Sequence, residues 1–263
     1  MAQPRVLLLG GHGKVALLMT PLFLARSWHV ISVIRDPAQK AEILQTGEGK
    51  PGKVEVLVES LENTKSERDA RRVIDQVKPN YVVWSAGAGG KGGSERTYAI
   101  DRDAAKYYVS SSIGTPSVTK FLMISYLGSR RNRPPWWNGD AWTRCQHVNE
   151  KILPHYFKAK VAADEHLASL ANTRSRDGDN KFQAICLRPG TLTDNAATGK
   201  VALGKTGYGS TDRVTRADVA DVAVQLLARD DTHGWLDLLN GDEDIPSAIE
   251  RVVREKIDCI EGE

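Results

Sequence analysis

Tyr156 and Lys160 stand four residues apart in the stretch Tyr156-Phe157-Lys158-Ala159-Lys160. On a helix that spacing puts both side chains on one face. A lysine ammonium beside a phenol favours the phenolate, so the tyrosine's pKa is expected to fall. Such a phenol can exchange a proton with a carbonyl or alcohol oxygen while hydride moves to or from a nicotinamide ring. The lysine can at the same time hold the ribose hydroxyls next to that ring. The pair is common by chance, and the competing reading is a surface tyrosine beside a solvated lysine. The chemistry needs a place for a dinucleotide elsewhere in the chain.

Gly10-x-x-Gly13-x-x-Ala16 supplies one. It follows the short apolar run at residues 5–9 and opens a helical pattern. Small residues here let the chain turn tightly and bring its backbone close to a pyrophosphate, which the free N–H groups of a helix N-terminus attract. Gly10, Gly11, Gly13, Lys14 and Val15 are therefore expected to bind the cofactor. A lone glycine pattern is weak, but its position after a strand and before a helix strengthens it. A P-loop is excluded, because Leu8 replaces its first glycine and Val15 its Ser/Thr. The second apolar run ends at Arg35-Asp36-Pro37. An acidic residue there suits the ribose 2′-OH of NAD, and an arginine suits the 2′-phosphate of NADP. Arg35 comes first, and Asp36 is tied into a turn by Pro37, so NADP(H) is favoured over NAD(H). Asp36 is also placed to cap the next helix. The small residues from Ser85 to Gly89, Ala86 and Gly87 among them, follow a fourth strand and are expected to pass beside the adenosine ribose and pyrophosphate. The glycine run 89–93 is expected to be mobile.

The elements that must position these groups alternate. Strands are expected at 5–9, 29–34, 54–58, 81–84, 121–125 and 182–187. Helices are expected at 14–26 (with Pro21 inside), 37–44, 66–77, 98–112, 154–171 and 218–228. A last strand is expected at 235–239 and a last helix at 246–256. Such alternation implies right-handed crossovers and a doubly wound, mostly parallel Rossmann-type α/β sheet with helices on both faces. Residues 172–180 read as a polar loop within one domain spanning 1–263. Substrate-side elements are expected at about 128–151 and 190–215, forming a small C-terminal extension. The first of these carries Trp136, Trp137 and Trp142, and is expected to form part of a substrate lid; the alternative is that its indoles pack over the surface.

In this order the segments resemble the short-chain dehydrogenase/reductase superfamily, in particular its atypical NmrA-like, NAD(P)-binding members and a set of fungal cytoplasmic proteins of that type. The resemblance runs from residue 5 to about 228. It is carried by Gly10 to Ala16, Arg35 to Pro37, Ser85 to Gly87, Phe121 to Ser125, Tyr156 to Lys160 with Ala163-Asp164-Glu165, Leu187 to Thr191, and Thr215 to Ala220. It implies that Tyr156 and Lys160 are the catalytic pair and that Pro189, Gly190 and Thr191 flank the nicotinamide. The superfamily's catalytic Ser/Thr lies just after the fifth strand, where Ser125 is the nearest hydroxyl and Tyr126 and Leu127 hold the next places. Three functions fit: an NADP(H)-dependent oxidoreductase acting on a small carbonyl or alcohol, a non-catalytic NAD(P)-sensing protein that reports to a protein partner, and a dehydratase or epimerase of the nucleotide-sugar type.

Composition narrows the classes further. A hydrophobic fraction of 41% and a charged fraction of 26% over 263 residues are those of a soluble globular protein. A net charge of +3 is small for a dedicated nucleic-acid binder. Three scattered cysteines, with no metal-ligand spacing, fit free thiols in a reducing compartment. With no run long enough to span a bilayer, a cytoplasmic protein without a metal is expected.

Overall fold

Val6 and Leu8 of the first strand point to one face of a sheet and Leu7 and Leu9 to the other, and all four are fully buried. A strand apolar on both faces belongs in the middle of a parallel sheet covered by helices on both sides. That is what the computed structural model contains; it describes residues 3–89, 92–209 and 212–260. Strand β1 (Arg5–Leu9) lies between β2 (His29–Ile34) and β4 (Tyr81–Trp84). Beyond β2 lies β3 (Lys53–Val58); beyond β4 follow β5 (Lys120–Ile124), β6 (Gln183–Pro189) and β10 (Gly234–Asn240), all parallel. Two antiparallel strands, β8 (Lys200–Gly204) and β11 (Glu243–Asp244), complete the nine-stranded sheet.

Helices α1 (Lys14–Ala25), α8 (Arg216–Ala228) and α9 (Ile245–Arg254) cover the Val6/Leu8 face. The other face is covered by α3 (Glu67–Val77), α5 (Ala105–Ile113) and α7 (Pro154–Arg176). The strand order reverses between β1 and β4, and in such sheets the crevice at the carboxyl ends of those strands is where ligands bind.

Several elements differ from the sequence expectation. The polar loop expected at 172–180 is instead helical as far as Arg176. Tertiary contacts extend the helix where its apolar period has ended: Arg174 stacks over the Phe182 ring, pairs with Asp179 and donates to the Ile113 carbonyl. Segment 128–151 contains α6 (Gly139–His147), capped by the Asn138 side chain, which accepts from the Ala141 N–H at 2.8 Å. A π-helical turn, Val148–Ile152, then leads into α7. A second π-helical stretch, Tyr98–Ala104, connects α4 (Gly93–Thr97) to α5. Within 190–215 the short strands β7 (Thr191–Thr193) and β9 (Arg213–Thr215) pair in parallel as a separate two-stranded sheet. Two- and three-residue strands carry too little alternation to be read locally. Of the glycine run 89–93, residues 90 and 91 lie outside the described residues.

Candidate functional site

Two adjoining cavities open at the carboxyl ends of β1 and β4. The smaller, about 430 Å³, runs from the β1–α1 turn to the end of β2. The larger, about 650 Å³, runs from that turn to α7. Gly13, Lys14 and the strip Ser85–Gly89 wall both, so the two form one continuous cleft.

Close backbone approach builds the glycine-lined side. Gly10 adopts φ +83°, a region most side chains avoid, and a Cβ there would stand 2.6 Å from Ala86 Cα. Gly13 sits at the N-cap of α1 with ordinary φ, and its N–H donates to the Gly10 carbonyl at 2.8 Å. No side chain caps this helix and no acidic residue occupies its first turn, which leaves its positive end facing the cleft. Lys14 and Val15 both wall the larger cavity. Gly11 has a different task. It is buried, its N–H donates to the Val33 carbonyl at 2.9 Å, and Ser32 leaves no space for a Cβ. Gly11 packs the turn onto β2 and forms no part of either cavity wall.

At the far end of the smaller cavity stand Arg35, Gln39, Glu62 and Arg96. Glu62 lies between the two arginines, 2.9 Å from Arg96 Nε and 3.5 Å from Arg35. Asp36 is turned into its own helix start, accepting from the Ala38 N–H at 2.9 Å.

Ser125, Tyr156 and Lys160 all wall the larger cavity, so the three sequence-expected catalytic groups come together. Lys160 is buried and donates to the Ile124 carbonyl at 2.9 Å. An ammonium has three donors, so two remain beyond this bond. Two acids lie close by that the sequence reading did not assign. Asp164, fully buried, accepts from the Ser125 hydroxyl at 2.5 Å and from the Ser129 hydroxyl at 2.6 Å, both on Oδ2. Asp101, from the π-helical stretch Tyr98–Ala104, accepts from the Ala88 N–H at 2.9 Å and so props the glycine strip. Burial pushes both carboxyls above the usual range, against the pull of the Lys160 ammonium.

This setting overturns one expectation. Tyr156 does not have a lowered pKa. Burial, then the negative fields of Asp101 and Asp164, push its phenol far upward. The main reason is burial, which disfavours the charged phenolate, and the two acids add to it. Tyr156 is therefore a phenol, fit to donate a proton and poorly fit to abstract one.

Two further expectations change. Pro189, Gly190 and Thr191 do not wall the cleft. The Pro189 carbonyl accepts from the Leu127 N–H, the Gly190 N–H donates to Leu238, and the Thr191 N–H donates to Asp212; from this turn it is Leu192 that reaches the cavity. The tryptophans of 128–151 form no lid. Trp137 is buried, donates to the Thr206 carbonyl at 2.8 Å and lies 4.9 Å from the Tyr208 ring. Trp136 and Trp137 flank the Arg130 guanidinium. Trp142 packs against Trp137, and none of the three indoles walls either cavity. Segment 148–156 contributes instead the exposed apolar rim, Ile152 and Leu153.

Beneath the site, Arg130 and Arg188 share the fully buried Asp237 carboxylate, and both also donate to the Cys259 carbonyl. Arg188 donates in addition to the Ser129 carbonyl at 3.1 Å. This holds the loop after β5, which carries Ser125 and Ser129, against β6. At the cleft mouth Asp194 bridges Lys14 and Arg216, each at 2.6 Å. Asp164 was visible in the sequence as the third member of the 156/160/164 spacing on one helix face. Asp101 gave no signal, because a π-helical turn changes which residues face inward.

A sheet reversing at β1/β4 with a glycine turn at that point is the arrangement in which dinucleotides bind, and comparison with known proteins agrees. The chain belongs to the NAD(P)H-binding family, whose profile matches residues 10–230. It is 33% identical over 245 residues, 91% of each chain, to the UPF0659 protein C216.03 of Schizosaccharomyces pombe. A Bacillus halodurans protein ascribed to the NAD-dependent epimerases/dehydratases superimposes with TM-score 0.73 at 25% identity, covering 94% of this chain and 99% of that one. The Escherichia coli O157:H7 anaerobilin reductase ChuY shares the fold, with TM-score 0.62 at 21% identity over 90% of this chain and 98% of its own. Among the described residues no helix is long and apolar enough to cross a membrane.

Proposed function

We propose that the protein is an NADP(H)-dependent oxidoreductase that reduces a small carbonyl compound, with the nicotinamide in the larger cavity and the adenosine in the smaller. One observation carries this reading. Tyr156, held as a phenol, and Lys160, with two donors unshared, wall the same cavity that continues into the glycine-lined groove. Lys160 holds the nicotinamide ribose hydroxyls. The cofactor supplies hydride, and Tyr156 donates the proton that the reduced oxygen needs. Gly10 and Gly13 admit the pyrophosphate to the end of α1, with Lys14 and Val15 beside it. Ala86 and Gly87 let the backbone pass close to the cofactor. Arg35, assisted by Arg96, favours the 2′-phosphate of NADP, because Asp36 is already engaged as a cap and does not face the ribose. The similarity to a reductase and to the epimerase/dehydratase group supports hydride chemistry in general.

The test is consumption of NADPH and NADH with a panel of aldehydes, ketones, quinones and flavins. The reading expects NADPH oxidation with at least one acceptor, faster than with NADH, and its loss in Tyr156→Phe. Tight NADPH binding without any hydride transfer overturns the enzyme and supports the second reading, a protein that senses cofactor redox state for a protein partner. A specific observation favours that alternative: Ser125, placed where the superfamily keeps its catalytic hydroxyl, gives its proton to Asp164 rather than to the cleft.

A further inference from the structure

Both hydroxyls on the loop after β5 converge on a single buried oxygen. Ser125 Oγ lies 2.5 Å and Ser129 Oγ 2.6 Å from Asp164 Oδ2. Asp164 is fully buried, and its second oxygen, Oδ1, has no hydrogen-bond partner. Ser125 and Ser129 both donate to that one oxygen, and a hydroxyl has a single hydrogen to give. Burial raises the Asp164 carboxyl, against the pull of Lys160, one turn away on α7, of the two serine hydroxyls and of Arg188, on β6. The loop's backbone is tied on both sides of this contact, the Ser125 N–H to the Leu187 carbonyl at 2.8 Å and the Ser129 carbonyl to Arg188. Ser125 nevertheless walls the cavity that Tyr156 and Lys160 also wall. With its hydrogen committed to Asp164, Ser125 has only lone pairs to offer a ligand.

We propose that Asp164 is a positioning residue that fixes Ser125 as a hydrogen-bond acceptor toward the cleft, so that the ligand of this site carries an O–H or N–H donor for Ser125. The inference rests on the reading of the larger cavity as the site next to the nicotinamide. It assigns a division of labour. Tyr156 and Lys160 are donors and serve acceptor atoms; Ser125 is the acceptor and selects among carbonyl compounds for those that also carry a hydroxyl, amide or pyrrole-type N–H. A compound with acceptors only would leave Ser125 unpaired on binding, and sites built around a polar partner reject analogues that lack it.

The experiment uses the NADPH-loaded full-length protein and two probes of nearly equal shape, benzyl alcohol and benzyl methyl ether, with dissociation constants read from the fluorescence of bound NADPH. The alcohol donates a hydrogen bond and the ether cannot. The proposal expects the wild type to prefer the alcohol by roughly three- to tenfold, the worth of one hydrogen bond. Ser125→Ala abolishes the preference, and Ser125→Thr, which keeps the hydroxyl, retains it. Asp164→Asn also abolishes it, because the carboxamide can turn its N–H toward Ser125 and release the serine hydrogen to the cleft. Ser129→Ala leaves it in place. The ratio of the two constants does not move when a variant merely loosens the fold. If Asp164→Asn fails to fold, the two Ser125 variants still decide. NADPH binding with no preference between the probes, with neither probe bound, or with a preference that survives Ser125→Ala overturns the inference alone; failure to bind NADPH overturns the reading beneath it.

Discussion

The two walls of the cleft are built on opposite principles. The β1–α1 and β4 side works largely with backbone: Gly10, Gly13 and the strip from Ser85 to Gly89 bring main chain to the surface, with the charged Lys14, Arg35, Glu62 and Arg96 at its edges. The α7 side works with buried charge, in which Lys160 lies in the field of both Asp101 and Asp164, and Asp164 in turn in that of Arg188. A backbone wall is generic, since it fits the pyrophosphate of any dinucleotide. A wall of buried charges is specific, since each group fixes the protonation or the hydrogen-bond direction of the next. On the proposed reading the cofactor is held by one wall and the chemistry is done by the other.

Substitutions should separate the two walls. The largest effect belongs to Tyr156→Phe, which removes the proton donor alone. Turnover should fall roughly 10²–10⁴-fold, as for a lost general acid, with NADPH affinity nearly unchanged in a fluorescence titration. An equal loss of affinity would mean that the charged wall also builds the cofactor site. Lys160→Ala should reduce both turnover and affinity, because it removes the ribose donor and leaves Asp101 and Asp164 without their shared counter-charge.

On the backbone wall, Gly13→Val should weaken NADPH binding strongly while the protein stays folded. Gly13 has ordinary φ, and its nearest neighbour to an added Cβ is the Gly10 carbonyl at 3.1 Å. Circular dichroism and a thermal melt would check the fold. Normal binding would place the dinucleotide elsewhere. Arg35→Ala should weaken NADPH about tenfold or more, from the roughly 1.5–3 kcal/mol of a hydrogen bond to a charged group, and leave NADH little changed. Equal loss for both cofactors would show that Arg35 does not discriminate. The smallest effect belongs to Asp36→Ala, which removes a cap worth about 1 kcal/mol of stability. A selective loss of NADH affinity in that variant would return Asp36 to the ribose and reverse the cofactor preference.

The backbone wall was legible in the sequence because its signals are local. A strand, a glycine turn and a helix follow one another within twelve residues, and Arg35-Asp36-Pro37 ends the next strand as expected. The charged wall was legible only in part. Tyr156, Lys160 and Ser125 were found by spacing and by their place after β5. Asp101 comes from a π-helical turn on another helix, and no local pattern announces it. The direction of the Tyr156 shift was missed because burial, its main cause, and the two acids that add to it are set only once the chain has folded. Trp136, Trp137 and Trp142 misled by residue type; their partners Arg130, Thr206 and Tyr208 are known only once the chain has folded. Pro189 to Thr191 followed the order of the superfamily, but in this chain the turn spends those residues on backbone pairing and brings Leu192 to the cleft.

The central claim is that the charged wall donates a proton while the nicotinamide gives hydride. Its most direct test is single-turnover oxidation of bound NADPH by aldehyde, ketone, quinone and flavin acceptors, followed from neutral to alkaline pH. Because burial and two carboxylates raise the Tyr156 phenol, the donating form persists above the ordinary tyrosine value of about 10. The account predicts hydride transfer to at least one carbonyl acceptor, at a rate that does not decline on the alkaline side until beyond about pH 10, and its collapse in Tyr156→Phe. Bound NADPH that reduces none of these acceptors, or a carbonyl reduction that Tyr156→Phe leaves intact, would contradict it.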